Sequence, residues 1–146
     1  MEDKIAAIES QLPDLGPPSS NYIHAVRTGN LLFLAGKAVL VKGRVGEDYT
    51  TEQAYAHARD IGMLLLAAIK RATGSLHKVR QIVKVNGMVN ATHDFAEHSE
   101  VINGCSDLFI EVFGDRGRHA RSCFGVASIP MNLIIEIEAI VEVEDE

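Results

Sequence analysis

The sequence contains no tryptophan, only two cysteines and no long apolar run, and each shortage narrows the class of protein. Cys105 and Cys123 are too few for the disulfide framework of a small secreted domain. The longest apolar stretch, from Met63 to Ile69, is far too short to span a bilayer. The first residues are acidic and lack the apolar core of a signal peptide. We therefore expect a cytoplasmic protein with reduced cysteines and no membrane partner.

Basic residues are also in the minority. The chain contains 14 lysines and arginines and 20 aspartates and glutamates, which gives a net charge of −6 at pH 7. An acidic chain repels the phosphate backbone, and few aromatic side chains are present for base stacking, so no nucleic-acid partner is expected. The length of 146 residues with 47% apolar residues fits one domain with one core.

The N-terminal region predicts a short helix followed by a linker. Apolar residues recur at helical spacing over 3–12, and the segment 14–20 is rich in proline, glycine and serine. We therefore divide the chain into a helix and linker over 1–19, packed on a domain over 20–146.

The rest of the chain predicts an α+β fold. Alternating apolar residues indicate strands and a period near 3.6 indicates helices. The expected elements are strands Tyr22–Val26 and Leu31–Ala35, an extended piece at Arg44–Val45, a helix from Thr50 or Thr51 to Gly74, a strand Val79–Asn90 bulged at Gly87, a helix Asp94–Phe113, and strands Ser122–Val126 and Leu133–Val143. This order predicts a mixed sheet with both long helices on one face, leaving the other face for oligomerisation.

The last strand is the most regular pattern. Glu136, Glu138 and Glu142 alternate with apolar neighbours, so one face of this strand is apolar and the other is rich in carboxylates. Without further information these acids are a solvated face, which for Glu142 is the preferred interpretation.

The segment from His119 to Pro130, followed by Ile-Glu-Ile-Glu at 135–138, closely resembles the signature of the RidA/YjgF/UK114 family. The hairpin Tyr22–Asn30, Gly36 and the Val-Ile-Asn at 101–103 follow in family order, so the resemblance spans residues 20 to 143. It implies a chorismate-mutase-like fold and a homotrimer with a barrel-like centre and sites between subunits. Well-studied members hydrolyse 2-imino or 2-enamino acids to 2-keto acids and ammonia. This chemistry needs only a carboxylate clamp and one held water, so we expect no metal or organic cofactor. Some members carry an older label as endoribonucleases.

The resemblance also assigns roles to residues. It implies that Arg121 clamps the substrate carboxylate, for which a planar guanidinium is suited, and that Glu136 positions or activates water. The remaining expected pocket residues are Tyr22, Ala35, Gly36, Asn103 and Cys123. Two positions depart from the well-studied deaminases, which often have serine in place of Ala35 and glutamine in place of Lys37. The chain therefore resembles a divergent branch.

Several other interpretations remain open. Taken alone, Arg121 could form an ordinary surface ion pair. A second alternative is a non-catalytic trimer that binds a small carboxylate, which would fit the absence of a hydroxyl group at Ala35. Endoribonuclease activity is a third alternative, disfavoured by the acidic balance. A Cys123 thiolate beside Arg121 lacks an identifiable histidine base. The histidines show no metal-binding spacing, so no metal is expected.

Overall fold

A computed structural model describes residues 3–146, which form one five-stranded sheet covered by two long helices on one face. In chain order the elements are α1 (Lys4–Glu9), β1 (Ala25–Thr28), β2 (Leu31–Lys37), α2 (Thr51–Thr73), β3 (Val79–Asn90), α3 (His98–Phe113), β4 (Ala120–Val126) and β5 (Ile135–Val143), with short 3₁₀ turns at Leu76–Lys78, Gly114–Gly117 and Pro130–Asn132. The first two residues of the predicted N-terminal segment lie outside the described residues. No helix in the described range is long and apolar enough to cross a membrane.

The strand order is β1-β2-β5-β3-β4. All neighbouring strands are antiparallel except β3 and β4, which are parallel. The predicted mixed sheet and α+β class are therefore confirmed. β4 lies at one edge of the sheet, and β5 is a central strand between β2 and β3.

Both ends of the long helix α2 are fixed by local capping residues. The Thr50 side chain accepts from the Gln53 backbone N–H, and the Gln53 side chain accepts from the Thr50 backbone N–H. This capping box satisfies two otherwise unpaired donors. At the other end Gly74 adopts φ +90°, a left-handed conformation that suits glycine and terminates the helix.

The core lies between the helices and one face of the sheet. On β5, the residues Ile135, Ile137, Ala139, Val141 and Val143 are buried, while the alternate positions are half-buried or exposed. The helix-free face carries exposed apolar side chains, including Val26, Phe33 and Phe124, at 40–51% exposure. The face opposite the helices is thus apolar as well as acidic.

Three local predictions were wrong. β1 starts at Ala25 rather than Tyr22, and α3 starts at His98 rather than Asp94. The pairing of β3 runs unbroken through Gly87, and its irregularities lie near Val79–Lys84. Gly87 serves packing instead, since a Cβ there would lie 2.6 Å from the Ile102 side chain of α3.

Candidate functional site

Arg121 lies on the edge strand β4 with its side chain on the helix-covered face. Its backbone partner on β3 is Val85, which is fully buried. Directly paired residues of neighbouring strands project to the same face, so Arg121 points towards α3 rather than towards the open face.

Helix α3 presents a polar stripe to this arginine. Ser99, Asn103 and Ser106 are four and three residues apart, which places them on one side of a helix. The Arg121 Nη1 donates to Asn103 Oδ1 at 2.8 Å and to Ser106 Oγ at 3.0 Å. Its Nη2 donates to the Ser99 carbonyl at 3.5 Å.

All of these acceptors are neutral. Within residues 3–146 no carboxylate lies within ion-pair distance of Arg121, and its Nε makes no hydrogen bond. The interpretation as an ordinary surface ion pair is therefore wrong for this conformation. A half-buried guanidinium that is oriented yet not neutralised is suited to bind an anion, and its remaining N–H groups can form a bidentate pair with a carboxylate.

Cys123 lies on the same side of β4, two residues after Arg121. Its Sγ is 3.5 Å from the Ser99 hydroxyl. The structure thus brings together three of the predicted site residues: Arg121, Asn103 and Cys123.

Glu136 belongs to a second group on the other face of the sheet. Its side chain lies across Gly36, where an added Cβ would be 2.6 Å from Glu136 Oε2. The pairing of β2 with β5 shifts between Leu34 and Lys37, so Ala35 and Gly36 form an irregularity beside Glu136. A side chain at position 36 would displace this carboxyl group.

The charge of Glu136 is influenced by its surroundings. Burial raises its pKa, the nearby Glu138 carboxylate raises it further, and the Lys37 ammonium opposes both effects. A carboxyl group with a raised pKa is better suited to exchange protons near neutral pH than an exposed one.

Lys37 itself is buried, with 7% exposure. Its Nζ is 2.8 Å from His24 Nδ1, and His24 Nε2 is 2.9 Å from the Gly16 carbonyl. Because a carbonyl only accepts, Nε2 carries the ring proton and Nδ1 accepts from the ammonium. Burial lowers the pKa of Lys37, while Glu136 partly offsets this.

The two groups are separate within one chain. Arg121 is in register with Val85, whereas Glu136 is in register with Met88. Arg121 and Glu136 are therefore two strands apart across the sheet and three residues apart along the strands, which corresponds to a separation of about 14 Å between their Cα atoms. The two side chains also lie on opposite faces, so one described chain does not bring them into one pocket.

Four cavities of about 690, 420, 250 and 410 Å³ include neither Arg121 nor Glu136 among their lining residues. Tyr22 is 41% exposed, with its hydroxyl 3.3 Å from Ser19 Oγ, and Ala35 donates its backbone N–H to His24. The part of the chain from 3 to 146 contains no cluster of three or more metal-ligating side chains.

Sequence reasoning missed Ser99 and Ser106 as members of the arginine site, and it placed the loop from Arg116 to His119 near Arg121 only as a source of basic groups. His119 Nε2 is 2.8 Å from Ser106 Oγ, so it is connected to Arg121 through one hydroxyl. The four- and three-residue spacing of Ser99, Asn103 and Ser106 is a signal in the sequence that could have found the two serines beside the predicted Asn103.

Comparison with known proteins shows one family. A family model described as "YjgF/chorismate_mutase-like, putative endoribonuclease" matches residues 4–143. Protein TCP17 of Trypanosoma cruzi is 34% identical over 142 residues, covering 92% of this chain and 89% of that protein. The 2-iminobutanoate/2-iminopropanoate deaminase of Dermatophagoides farinae is 29% identical, covering 87% of this chain and 89% of the relative. The crystal structure of Atu1372 from Agrobacterium tumefaciens, a protein described as of unknown function, superposes with a TM-score of 0.87 at 36% identity and covers 97% of this chain and 92% of that one.

Proposed function

The chain belongs to the YjgF/chorismate mutase-like family, and we propose that it hydrolyses reactive 2-imino or 2-enamino acids to 2-keto acids and ammonia at clefts between the protomers of a homotrimer. The activity named for the mite relative supports this class of reaction. No cofactor is part of the proposal.

The observation that carries the proposal is the state of Arg121. Its guanidinium is oriented by Asn103 and Ser106 and has no carboxylate partner among residues 3–146. Holding a positive charge half-buried without compensation is unfavourable, and a small anion relieves that cost. A 2-imino acid supplies a carboxylate of the required geometry.

The reaction needs one water and one proton carrier. Water adds to C2 of the protonated imine while Glu136 accepts one of its protons, which gives a neutral carbinolamine. Glu136 returns this proton to the nitrogen, the C–N bond breaks and ammonia leaves. The hydroxyl proton of the carbinolamine passes to Glu136, so that the water oxygen remains as the carbonyl oxygen of the 2-keto acid. The raised pKa of Glu136 supports a role in which the group both takes and returns a proton.

A second copy of the chain is needed to unite the two groups. Arg121 lies at the β4 edge and Glu136 on the helix-free face, so an edge packed against the open face of a neighbour joins them. The exposed Val26, Phe33 and Phe124 on that face supply apolar area for such packing. The trimeric state follows the family resemblance.

The test is ammonia release from 2-iminobutanoate generated in situ by an amino-acid oxidase. We expect the wild-type protein to accelerate it, and Arg121→Lys and Glu136→Gln each to lower kcat/KM by about tenfold or more, because the bidentate clamp or the proton carrier is lost. Arg80→Lys and Glu142→Gln are matched controls, since Arg80 is exposed and Glu142 lies further along the same face of β5. The proposal fails if a folded trimer gives no acceleration, or if the controls lose as much activity as the site variants.

A second function, binding of a small carboxylate without turnover, is favoured by Ala35. A methyl group at this position beside Gly36 donates no hydrogen bond to a substrate. Calorimetry with 2-oxobutanoate would then show binding that Arg121→Ala removes, while ammonia release stays at the uncatalysed rate. Measurable turnover contradicts this alternative.

Ribonuclease activity has less support. The family description includes the term endoribonuclease, but the net charge of −6 opposes binding of a polyanion. If a preparation cleaves RNA and both Arg121→Ala and Glu136→Ala retain full cleavage, the activity does not belong to this site.

A further inference from the structure

A directed chain of hydrogen bonds runs from the 3₁₀ turn before β4 to Arg121. His119 Nδ1 lies 2.6 Å from the Gly117 carbonyl, His119 Nε2 lies 2.8 Å from Ser106 Oγ, and Ser106 Oγ accepts from Arg121 Nη1 at 3.0 Å. Each step involves groups that are buried or half-buried.

The direction of every bond in this chain follows from the chemistry of its ends. A carbonyl only accepts, so the proton of neutral His119 is on Nδ1 and Nε2 is an acceptor. Arg121 only donates, so its Nη1 uses an oxygen lone pair of Ser106. The Ser106 proton must therefore point to His119, which fixes the hydroxyl that in turn fixes the guanidinium.

Packing holds the ring of His119 in place. Phe109 of α3 contacts it edge-on, with the ring centroids 6.0 Å apart and the planes at 80°. Burial lowers the pKa of His119, the Gly117 carbonyl raises it and the positive charge of Arg121 lowers it. The neutral form, which is the one that accepts from Ser106, is thus favoured.

We propose that His119 is a positioning residue: through Ser106 it orients the Arg121 guanidinium for the carboxylate of the ligand, and its protonation weakens ligand binding. The inference rests on the proposed function, because it assumes that Arg121 receives the carboxylate. His119 itself does not touch the substrate.

Protonation disrupts the chain in two ways. An imidazolium donates from Nε2, so the oxygen of Ser106 must accept from both Nε2 and Arg121, and the serine proton loses its acceptor. The imidazolium also places a positive charge about 5 Å from the Arg121 guanidinium, and the repulsion displaces the guanidinium from its position.

The charged and titratable groups around His119 come from three elements. β4 contributes Arg121. α3 contributes Cys105, which precedes Ser106 in the chain and lies near Arg121; burial raises its pKa, so that it stays a neutral thiol. The preceding turn contributes Arg118 and Asp115, which pair with each other at 3.4 Å on the exposed side. Among these groups Arg121 is the one whose charge opposes protonation of His119.

The first experiment measures binding of 2-oxobutanoate by calorimetry to the full-length protein between pH 5 and pH 8. We expect His119→Phe, which keeps the packing on Phe109 but removes the acceptor, to bind about tenfold more weakly at pH 8, and Ser106→Ala to behave alike. His119→Gln retains an acceptor oxygen and should restore most of the affinity. The double variant His119→Phe with Ser106→Ala should lose no more than either single variant, because both act through one bond.

The pH profile separates positioning from a merely structural role. Wild-type affinity should fall at acidic pH, in a step that lies below the ordinary histidine pKa because burial lowers the pKa of His119. This step should vanish in His119→Gln while any step due to Glu136 remains. His57→Gln, a change at a histidine of α2, is the control and should leave the profile unchanged. If Arg121→Ala leaves binding intact, the proposed function fails; if it abolishes binding while His119→Phe and Ser106→Ala do not weaken it, only this inference is overturned.

A measurement without ligand keeps the inference testable if 2-oxobutanoate binds too weakly. Nitrogen-15 spectra of the imidazole should show the proton on Nδ1 of His119 at neutral pH, and its pKa should rise in Arg121→Leu. A proton on Nε2, or an unchanged pKa in that variant, contradicts the hydrogen-bond chain.

Discussion

Substitution of Gly104 tests how closely α2 and α3 must approach to hold the arginine site. A Cβ at Gly104 would lie 2.0 Å from the carbonyl oxygen of Tyr55 and 3.0 Å from the backbone nitrogen of Arg59, both on α2. An ordinary contact between carbon and oxygen is about 3.3 Å, so α3 must move away by about 1.3 Å. Backbone atoms cannot rotate aside, and the strain therefore falls on the helix pair.

The expected loss follows from two opposing effects. Overpacking costs about 3 kcal/mol or more where backbone meets backbone, and alanine improves helix propensity by about 1 kcal/mol over glycine. We expect Gly104→Ala to lower the free energy of unfolding by about 2 kcal/mol, or Tm by about 6 °C for a chain of this size. Asn103 and Ser106 flank this position, so a displaced α3 lengthens their bonds to Arg121 and weakens binding of 2-oxobutanoate.

Gly62 provides a matched control on the same helix pair. A Cβ there would lie 2.9 Å from Leu108 Cδ2, the end of a flexible side chain, and 3.3 Å from Cys105 Sγ. Gly62→Ala gains the same propensity but meets a neighbour that can move, so its stability should stay within about 1 kcal/mol of wild type. Urea unfolding followed by circular dichroism, at one protomer concentration, measures both variants. Equal stability of the two, or a greater loss at Gly62, would refute the reasoning.

Three further changes test other parts of the molecule. Gly36→Ala places a Cβ 2.6 Å from the Glu136 carboxyl oxygen, so ammonia release should fall about tenfold while Tm changes little; a large fall in Tm would instead show a structural role. Asn90→Ala removes a side chain of 1% exposure that donates to the Gly43 carbonyl at 3.0 Å, and urea unfolding should show a loss of about 2 kcal/mol, with no loss contradicting this account. The pKa of His119 is lowered in the folded protein, so the unfolded chain binds a proton at this residue first as the pH falls below the ordinary value of 6.5. The free energy of unfolding should therefore decrease below pH 6.5, and His119→Gln should lack this decrease. An identical pH dependence of stability in the two proteins would contradict the argument.

Much of the fold could be predicted from the sequence because its signals are local. The strict alternation of apolar and acidic residues in β5 indicates that one face of this strand is buried. The boundaries of α2 follow from the capping box at Thr50 and from Gly74 at its end. Errors occurred where distant contacts decide. The segment before α3 is held outside the helix because Thr92 donates its backbone N–H to the Val45 carbonyl, a pairing between residues far apart in the sequence that no local pattern contains.

The sequence also could not show how the site residues divide between faces. Alternation tells which residues of one strand share a face, but the relation between Arg121 and Glu136 depends on two registers, β4 with β3 and β3 with β5. The motif suggests that the two groups act together, and it contains no information that they face opposite ways within one chain. An assembly is the simplest arrangement that reconciles the shared motif with the separation.

The partners of Arg121 illustrate a more general difference between sequence and structure. With 20 acids in the chain, an ion pair was a reasonable expectation for any single arginine. The parallel register of β4 with β3 instead directs Arg121 towards α3, where every group it contacts is neutral. The amino-acid composition does not reveal whether one particular arginine has an acid beside it in the folded chain. Within residues 3–146 no acid pairs with this guanidinium, and the hydroxyl and amide that hold it in place support the proposal that an external carboxylate binds there.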